Sequence, residues 1–246
     1  MNAPNPPSPS FQPLYHQIKA LLTASLQHGE WKPGEAIPSE MELAARFQVS
    51  QGTVRKAIEA LAADNLLVRR QGKGTFVATH TEEHTSHYRF LRLRSSNGKD
   101  EYPASRLLDV RRGKASADVA RLLALRTGDA LIVLRRVLEF SAEPVLLDEI
   151  SLPAALFKGL SRTKLEAYRG SMYSFFESHY GVRMIRAEEH LTAIAADAAT
   201  AEVLRVKVNS PLLAVDRVAY TYGDRPVEWR RGLCNTRSHY YLNELG

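Results

Sequence analysis

This 246-residue chain is poor in cysteine and in long apolar runs, and both absences limit what it can be. Its one cysteine, Cys234, excludes an intramolecular disulfide and fits a reducing compartment. We interpret Cys234 as a small, half-buried strand residue rather than as a redox sensor. No apolar run reaches the roughly 20 residues that a membrane-spanning helix requires. We therefore expect a cytoplasmic protein with no membrane partner.

The sequence patterns of familiar catalytic sites are also missing. There is no Gly-x-Ser-x-Gly elbow, no phosphate-binding Walker loop and no His-Glu-x-x-His motif. Gly72-Lys73-Gly74-Thr75 resembles part of a phosphate loop but lacks the upstream glycine. Glu188-Glu189-His190 would alternate between the two faces of a strand, so these residues cannot act as one acid–base pair. We expect no catalytic residue and no cofactor, and hence a protein that is not an enzyme.

The composition that remains is that of an ordinary globular protein. The chain is 44% hydrophobic and 24% charged, and its length is enough for two domains. A net charge of +6 favours polyanionic partners. Residues 1–10 are rich in proline, asparagine and serine and lack the features of a signal peptide, so we predict a disordered tail.

The stretch from Pro38 to Val77 carries the most informative pattern. Ser39 and Glu42 have the spacing of a capping box, which predicts a helix of about two turns. Ser50 can cap a second helix by accepting a backbone N–H. The inward face of this second helix consists of apolar residues at helical spacing: Val54, Ala57, Ile58 and Leu61. Its outward N-terminal end carries small polar groups and one arginine: Gln51, Gly52, Thr53 and Arg55.

A basic hairpin follows the second helix, which we expect to end near Asn65. Residues 66–70 and 75–78 are predicted strands around the tip Gln71-Gly72-Lys73-Gly74. The arginines at positions 69 and 70, together with the tip lysine, suit phosphate binding. Glycine lets the backbone enter a narrow minor groove. The unit has the pattern of a winged helix-turn-helix, which predicts double-stranded DNA as the partner.

The segment from about Phe11 to Val77 resembles the DNA-binding domain of the GntR family of bacterial transcription regulators. Its leading stretch PLYHQIKALL and the ordered motifs described above carry the resemblance. The resemblance implies a winged helix-turn-helix domain over residues 11–78. We expect the following residues at the DNA: Ser39, Met41, Ser50, Gln51, Gly52, Thr53, Arg55, Lys56, Arg70, Gln71, Gly72, Lys73 and Gly74.

Two of these residues depart from the family pattern, which often has arginine at positions 41 and 51. Gln51 can pair bidentately with adenine, whereas arginine prefers guanine. Met41 can make only apolar contact, for instance with a thymine methyl group. We still expect this chain to bind DNA, and the two departures mean that the family's usual operator sequence is not implied for it.

Residues 79–87 are polar and lack apolar periodicity, so we predict an interdomain linker. His80, His84 and His87 in this segment have helical spacing, which leaves a metal site as the alternative. We favour a hydrophilic linker that happens to contain histidines, and we expect no metal.

The chain after Tyr88 contains an internal repeat. In each copy a short helix pattern leads through a turn into an alternating hairpin, and Arg136-Val137 of the first copy aligns with Arg217-Val218 of the second. Between the copies, Ser171 caps a helix closed by Gly181, and residues 182–195 are a predicted strand. A leading strand near residues 105–112 brings the total to about six, mostly antiparallel, with helices on one side. The fold class is α+β.

This second half, residues 88–246, resembles the UTRA ligand-sensing domain of the HutC subfamily of GntR regulators. The hairpin motifs, EISLP, SMYSFFESHYG and PVEW carry the resemblance. It implies a chorismate lyase-like fold, a pocket for a small effector and a homodimer. The implied effector-binding residues, together with two aromatic candidates, are Arg136, Glu149, Tyr173, Glu228 and Tyr240. Leu138 stands where the family often has a second arginine, so a carboxylate becomes an alternative to a phosphate metabolite.

Each of these residues also has a structural interpretation. Arg136 and Glu228 can pair across neighbouring strands, and Tyr173 and Tyr240 can be core aromatics. Asp148 and Glu149 alternate along a strand, so at most one of them faces the pocket. The sequence predicts a DNA-binding transcription regulator, a repressor that binds a palindromic operator as a homodimer and responds to a metabolite. The alternative is a chorismate lyase-like enzyme with a nucleic-acid tether.

Overall fold

The computed structural model describes residues 12–80, 90–98 and 101–243. The chain divides into two compact units, Met1–Ala78 and Thr79–Gly246. The predicted tail and most of the predicted linker, including His84 and His87, lie outside the described residues. None of the described helices is both long and apolar enough to cross a membrane.

The first unit contains three helices and a two-stranded hairpin. Their bounds are α1 (Leu14–Gln27), α2 (Glu40–Phe47), α3 (Gln51–Ala63), β1 (Leu67–Arg70) and β2 (Gly74–Val77). The antiparallel strands pair from Leu67 with Val77 to Arg70 with Gly74. A single bridge between Ala36 and Phe76 adds the chain before α2 to this hairpin.

The caps that the sequence predicts are present, and they set where the helices begin. The Ser39 side chain accepts from the backbone N–H of Glu42, and the Glu42 carboxylate accepts from the Ser39 N–H at 2.8 Å. Ser50 caps α3 by accepting from the Thr53 N–H. A turn of three residues separates the helices, and Gln48 adopts a left-handed conformation there with φ of 55°. The inward apolar residues of α3 are completely buried: Val54, Ala57, Ile58 and Leu61.

The second unit is built on a six-stranded antiparallel sheet with the strand order β4-β5-β6-β9-β8-β7. The strands of this unit are β3 (Leu93–Ser95), β4 (Ala104–Lys114), β5 (Ala130–Phe140), β6 (Glu143–Pro153), β7 (Arg186–Ala195), β8 (Pro211–Thr221), β9 (Arg225–Cys234) and β10 (His239–Tyr241). Its helices are α4 (Ala117–Leu122), α5 (Arg162–Ala167), α6 (Met172–Tyr180) and α7 (Ala198–Leu204). Strands β3 and β10 form a separate antiparallel pair. The α+β class and the count of six strands in the main sheet are confirmed.

The internal repeat is visible as two copies of a helix followed by a hairpin. The first copy is α4 with β5 and β6, and the second is α7 with β8 and β9. The two hairpins join side by side through β6 and β9, where Asp148 pairs with Gly232. Equivalent positions of the two copies therefore meet near the centre of one sheet.

Helices cover both faces of the sheet, which corrects the prediction that they lie on one side. Helix α6 buries Phe175 and Phe176 against Leu134 and Ile150 on one face. The repeat helices α4 and α7 pack on the opposite face, where α7 covers Val137 and neighbouring apolar residues. The repeat helices exchange hairpins, since α7 packs on β6 and α4 packs on β9, whereas α6 lies in the connection between the copies and covers the other face.

Strand β7 is shorter than the predicted strand over residues 182–195, because its first four residues do not join the sheet. Val182 and Met184 instead turn into the apolar cluster beneath α6. Ile185 makes one backbone bond to Tyr220 before the regular pairing begins at Arg186. Val182 and Met184 are therefore buried against α6, and the strand begins only at Arg186 although the sequence alternates from residue 182.

Candidate nucleic-acid interface and ligand cavity

The first unit presents its predicted DNA-binding residues on the N-terminal ends of α2 and α3 and on the hairpin tip. Met41 is 71% exposed, and it is among the most exposed large apolar residues of the described chain. Thr53 and Arg70 are half-buried. The other predicted residues are all exposed: Ser39, Ser50, Gln51, Gly52, Arg55, Lys56, Gln71, Gly72, Lys73 and Gly74.

One carboxylate, Glu40, organises the polar groups between these elements. It accepts from Arg55 Nε at 3.0 Å, from Arg69 Nη2 at 2.9 Å and from Gln51 Nε2 at 3.3 Å. The first residue of α2 thereby connects α3 and β1. Glu40 holds the Arg55 side chain in place at the start of α3 and neutralises part of the charge there.

Sequence reasoning missed Glu40, and it overestimated Arg69 as a phosphate contact. Arg69 lies between Glu40 and Glu59, the latter 3.9 Å away, so its charge is partly compensated within the protein. A carboxylate in the first turn of a helix stabilises that helix, which explains why a glutamate stands at position 40. It does not indicate that Glu40 binds Arg55 and Arg69. Only the packing of three elements brings them together.

The cations that remain open lie on α3 and at the hairpin tip. Lys56 and Lys73 have no acidic partner among residues 12–80, 90–98 and 101–243. Arg70 stacks its guanidinium 4.4 Å from the centre of the Phe76 ring, which keeps it beside the strand. Gly72 has φ of 70° at the tip, a conformation that favours glycine and lets the turn protrude. The arrangement offers an α3 terminus and a basic hairpin to the grooves of a duplex.

The second unit contains a cavity of about 430 Å³ between the sheet and the segment from α5 to α6. Its size lies in the usual range for small-molecule sites. The sheet supplies the floor through side chains of the face that α6 covers. Helix α6 supplies Met172, Tyr173 and Phe175, and the chain near β3 supplies further wall from Phe90 to Leu93.

Strand pairing arranges the floor into a polar part and an apolar part. Arg136, Asp148, Gly232 and Val215 are paired in sequence across β5, β6, β9 and β8, so they form one row. The next row towards one end of the strands is apolar: Leu138, Leu146, Cys234 and Leu213. The next row towards the other end contains Ile150, Arg230, Arg217 and Glu189.

A buried network of charges crosses the polar part of the floor. Arg136 donates from Nε to Asp148 Oδ2 at 2.9 Å, and Arg230 donates from Nη1 to the same oxygen at 3.3 Å. Arg230 also binds Glu228 through two bonds of 3.1 and 3.2 Å. The Tyr173 hydroxyl donates to Glu228 at 2.8 Å, which connects α6 to the sheet. Paired and hydrogen-bonded in this way, the charges can be kept out of water.

A second pair lies beside this network. Arg217 binds Glu189 on the neighbouring strand and donates to the backbone carbonyl of Phe90. The Tyr241 hydroxyl donates to Glu189, so β10 is attached to the same carboxylate. These contacts fix the chain around residues 90–93 over the edge of the cavity.

Burial changes the protonation equilibria of the cavity groups. It lowers the pKa of Arg136, although Asp148 opposes this effect, and it raises the pKa of Tyr173 to about 12. Burial also lowers the pKa of Arg230, but Glu228, Tyr173 and Asp148 outweigh it and the net direction is upward. Burial raises the pKa of the Cys234 thiol. Arg217, Arg230 and Tyr173 therefore keep their protons at neutral pH, and Cys234 is a neutral thiol.

The network leaves one donor edge and one acceptor atom unused. Within the described residues, Nη1 and Nη2 of Arg136 have no hydrogen-bond partner, although the side chain lines the cavity. Asp148 Oδ1 is buried and likewise has no partner there. It lies beside Gly232, where a Cβ atom would come within 3.1 Å of it. The cavity thus presents an open guanidinium edge, which suits an anion.

Two of the five predicted effector residues line the cavity, and a third supports it. Arg136 and Tyr173 are in the wall, whereas Glu228 is wholly buried behind Tyr173 and Arg230. Glu149 does not line it, since it faces the other side of β6, half-exposed, where it pairs with Arg111 at 3.5 Å.

Tyr240 is the second correction. It is 47% exposed and points away from the cavity, while the next residue, Tyr241, lines it. A strand alternates its side chains, so an error of one position exchanges the two faces. The same shift by one residue explains why Glu149 was predicted in the cavity, where the structure places Asp148.

Sequence reasoning also missed Arg217 and Arg230 as cavity residues. The repeat aligns Arg217 with Arg136, and this alignment was a usable signal for a shared role. Arg230 follows Glu228 by two residues on a strand, so the two share a face, which was a second usable signal. Tyr241 had no comparable signal.

The first residues of the predicted linker are packed within the second unit. Glu177 on α6 accepts from the His80 backbone N–H at 2.6 Å and from the Thr79 hydroxyl at 3.0 Å. His80 is 2% exposed, and its ring Nε2 lies 2.9 Å from the Met184 carbonyl oxygen. The linker prediction therefore does not hold for Thr79 and His80. Within the described residues no histidine, cysteine or carboxylate cluster has the form of a metal site.

The sequence matches two family profiles that together span most of the chain. Residues 14–77 match the bacterial regulatory proteins of the gntR family, and residues 98–239 match the UTRA domain. Among curated relatives, a probable fructoselysine utilization operon transcriptional repressor of Escherichia coli is 28% identical over 227 residues. That alignment covers 92% of this chain and 91% of the relative.

Solved structures give the same picture. The ligand-binding domain of a protein classed as a GntR-family transcriptional regulator from Bordetella bronchiseptica is 43% identical, with a TM-score of 0.64. The match covers 65% of this chain and 99% of the Bordetella bronchiseptica domain. PhnF from Mycobacterium smegmatis is 25% identical with a TM-score of 0.54, over 93% of this chain and 99% of PhnF.

Proposed function

The chain belongs to the GntR family of bacterial regulatory proteins and carries a UTRA domain, and from this we propose a ligand-controlled transcriptional repressor. In this proposal the first unit binds a palindromic operator and the second unit binds a small anionic effector. The observation that carries the effector part is the unused Nη1–Nη2 edge of Arg136 inside a cavity of about 430 Å³.

The DNA part rests on the exposed end of α3 and the basic hairpin. Arg55 and Gln51 are held by Glu40 at the end of the helix that would enter the major groove. Lys56 and Lys73 supply open positive charge for phosphates. Gln51 in place of arginine predicts a preference for adenine at the position it reads.

We further propose that the protein acts as a homodimer. A palindromic operator presents two equivalent half-sites, and a protein with twofold symmetry can place one α3 helix on each. In this proposal the second unit forms the dimer, as its resemblance to the family implies. Sedimentation of the purified protein should give a mass near twice 27.5 kDa.

Control of DNA binding requires that the ligand alter something connected to the first unit. Helix α6 offers such a connection, because Tyr173 lies in the cavity wall and Glu177, four residues later, holds Thr79 and His80. Thr79 directly follows the last residue of the first unit. A ligand that moves α6 would change how the connecting segment is held, and operator affinity would change by linkage.

The function is tested by selecting a duplex from a random library and measuring its affinity with and without small molecules. A thermal-shift screen of carboxylates and sugar phosphates supplies the candidates. The proposal expects at least one stabilising compound that changes operator affinity. Turnover of such a compound without any change in DNA binding would instead favour an enzyme of the chorismate lyase type.

A further inference from the structure

The guanidinium donors in the cavity are mostly committed to protein acceptors. Arg230 uses Nε, Nη1 and Nη2 for Glu228 and Asp148. Arg217 uses Nε for Glu189 and Nη2 for the Phe90 carbonyl. Among the residues that the structure describes, Arg136 uses only Nε, for Asp148. Its two terminal nitrogens form a flat, two-donor edge, which matches the two oxygens of a carboxylate.

The charges of the floor are balanced before any ligand arrives. Arg136, Arg217 and Arg230 are each less than a tenth exposed, and three carboxylates pair with them. These carboxylates are Asp148, Glu189 and Glu228. A phosphate monoester would add nearly two negative charges to this buried, neutral site, whereas a carboxylate adds one. The cost of burial therefore favours the singly charged group.

Two further arginines line the cavity, but neither of them is buried. Arg92 donates from Nη1 to Asn243 and lies 3.8 Å from Glu189. Arg169 is exposed, so water screens its charge. Neither adds a buried donor next to the open edge of Arg136.

The floor next to Arg136 is apolar on one side. Leu138 follows Arg136 by two residues on the same face, and Leu146 and Cys234 continue that row across the sheet. Val215 lies beside Gly232 in the Arg136 row, and the missing side chain of Gly232 leaves the centre of the floor open. A ligand whose head reaches Arg136 must lay its body on these apolar groups.

We propose that the cavity selects a carboxylate with an apolar body and discriminates against phosphate esters. The head binds the Nη1–Nη2 edge of Arg136, and the body covers Leu138, Leu146 and Cys234. Leu138 is the specificity-determining residue, because a neutral side chain there adds no second buried cation to the open edge of Arg136. This inference rests on the ligand-binding function proposed above.

Two compounds with the same ring and different heads test the proposal, namely phenylacetate and phenyl phosphate. Calorimetric titration of the full chain should show phenylacetate binding about tenfold more tightly, since only one charge must be buried. Equal or tighter binding of phenyl phosphate, or no binding of phenylacetate, would overturn the proposal.

The substitution Leu138→Arg should reverse the preference by supplying a second cation beside Arg136. Val208→Arg adds the same charge at a residue that is 55% exposed and outside the cavity, so it controls for net charge. The expected result is a gain in phenyl phosphate affinity for Leu138→Arg alone. If neither substitution changes the ratio, Leu138 does not determine specificity.

The proposal and the repressor function fail in distinguishable ways. If a sugar phosphate releases the operator and no carboxylate does, the repressor function stands and the carboxylate inference is wrong. If phenylacetate binds the cavity but no ligand alters operator affinity, the inference stands and ligand control of DNA binding is wrong.

Discussion

The two units place their candidate functional residues in opposite environments. In the first unit nearly all of these residues are exposed, and they come from one continuous stretch, from Ser39 to Gly74. In the second unit they are buried and come from α6 and several strands, and nearly every charge has a protein partner. A DNA-reading surface leaves its cations available to phosphate, whereas a cavity must compensate buried charge in advance. Substitutions should therefore affect binding in the first unit and stability in the second.

The largest effect is expected at Asp148, which lies between Arg136 and Arg230 and is completely buried. Asp148→Ala leaves both cations without this partner and should destabilise the second unit by about 3–5 kcal/mol. Urea unfolding measures the change. Glu149→Ala removes the adjacent carboxylate from the half-exposed side and should cost less than about 1 kcal/mol. Similar losses for the two variants would contradict the assignment of faces.

A smaller effect, on binding and not on stability, is expected at Arg55. Its side chain is 52% exposed, so Arg55→Ala should leave the melting temperature nearly unchanged. Operator affinity should fall by about 1–3 kcal/mol, the usual worth of a base or phosphate contact made by arginine. Fluorescence anisotropy with the selected duplex measures it.

Lys19→Ala is the matched control, since Lys19 pairs with Asp64, away from the start of α3. It should bind the operator almost as the unsubstituted chain does. An unchanged affinity in Arg55→Ala would remove Arg55 from the interface.

A moderate effect on the ligand response is expected at Glu177, which holds Thr79 and His80, the residues that directly follow the first unit. Glu177→Ala releases Thr79 and His80 from α6, so the ligand-induced change in operator affinity should shrink by about fivefold, which corresponds to the contribution of one ordinary hydrogen bond of about 1 kcal/mol. Ser178→Ala is the control, because the bonds of the Ser178 hydroxyl within the described residues all go to Ser174, Phe175 and His179 of the same helix. If both variants respond to ligand normally, the α6 connection is not the route.

The smallest effect concerns the reactivity of Cys234, the only thiol in the chain. Burial raises its pKa, so the thiolate fraction at pH 8 should be below that of free cysteine. Labelling with a disulfide reagent should be slow at pH 8 and should accelerate as the pH rises. Phenylacetate should slow it further by covering the apolar row. Labelling at the rate of free cysteine would show that the thiol is open to solvent.

The sequence predicted the first unit well because its signals are local. Ser39 and Ser50 cap helices through bonds to residues three positions away, and the wing follows from glycine and basic residues at a turn. Glu40 escaped prediction because its partners lie 11, 15 and 29 residues away. Only packing determines which cation a carboxylate reaches.

The cavity was harder to predict for a different reason. Alternation along β6 shows that Asp148 and Glu149 face opposite sides, but not which side holds the cavity. Helices cover both faces of this sheet, so burial alone does not distinguish them. The internal repeat was more informative about the cavity residues. It aligns Arg217 with Arg136, and this holds whichever face of the sheet contains the cavity.

The most direct test of the account is the ligand response of Arg136→Ala, measured as operator affinity with and without a cavity ligand. We predict that this variant binds the operator as tightly as the unsubstituted chain, because Arg136 lies in the second unit. We also predict that ligand no longer changes that affinity, because the open donor edge is gone. Normal release of the operator by ligand in Arg136→Ala would contradict the account.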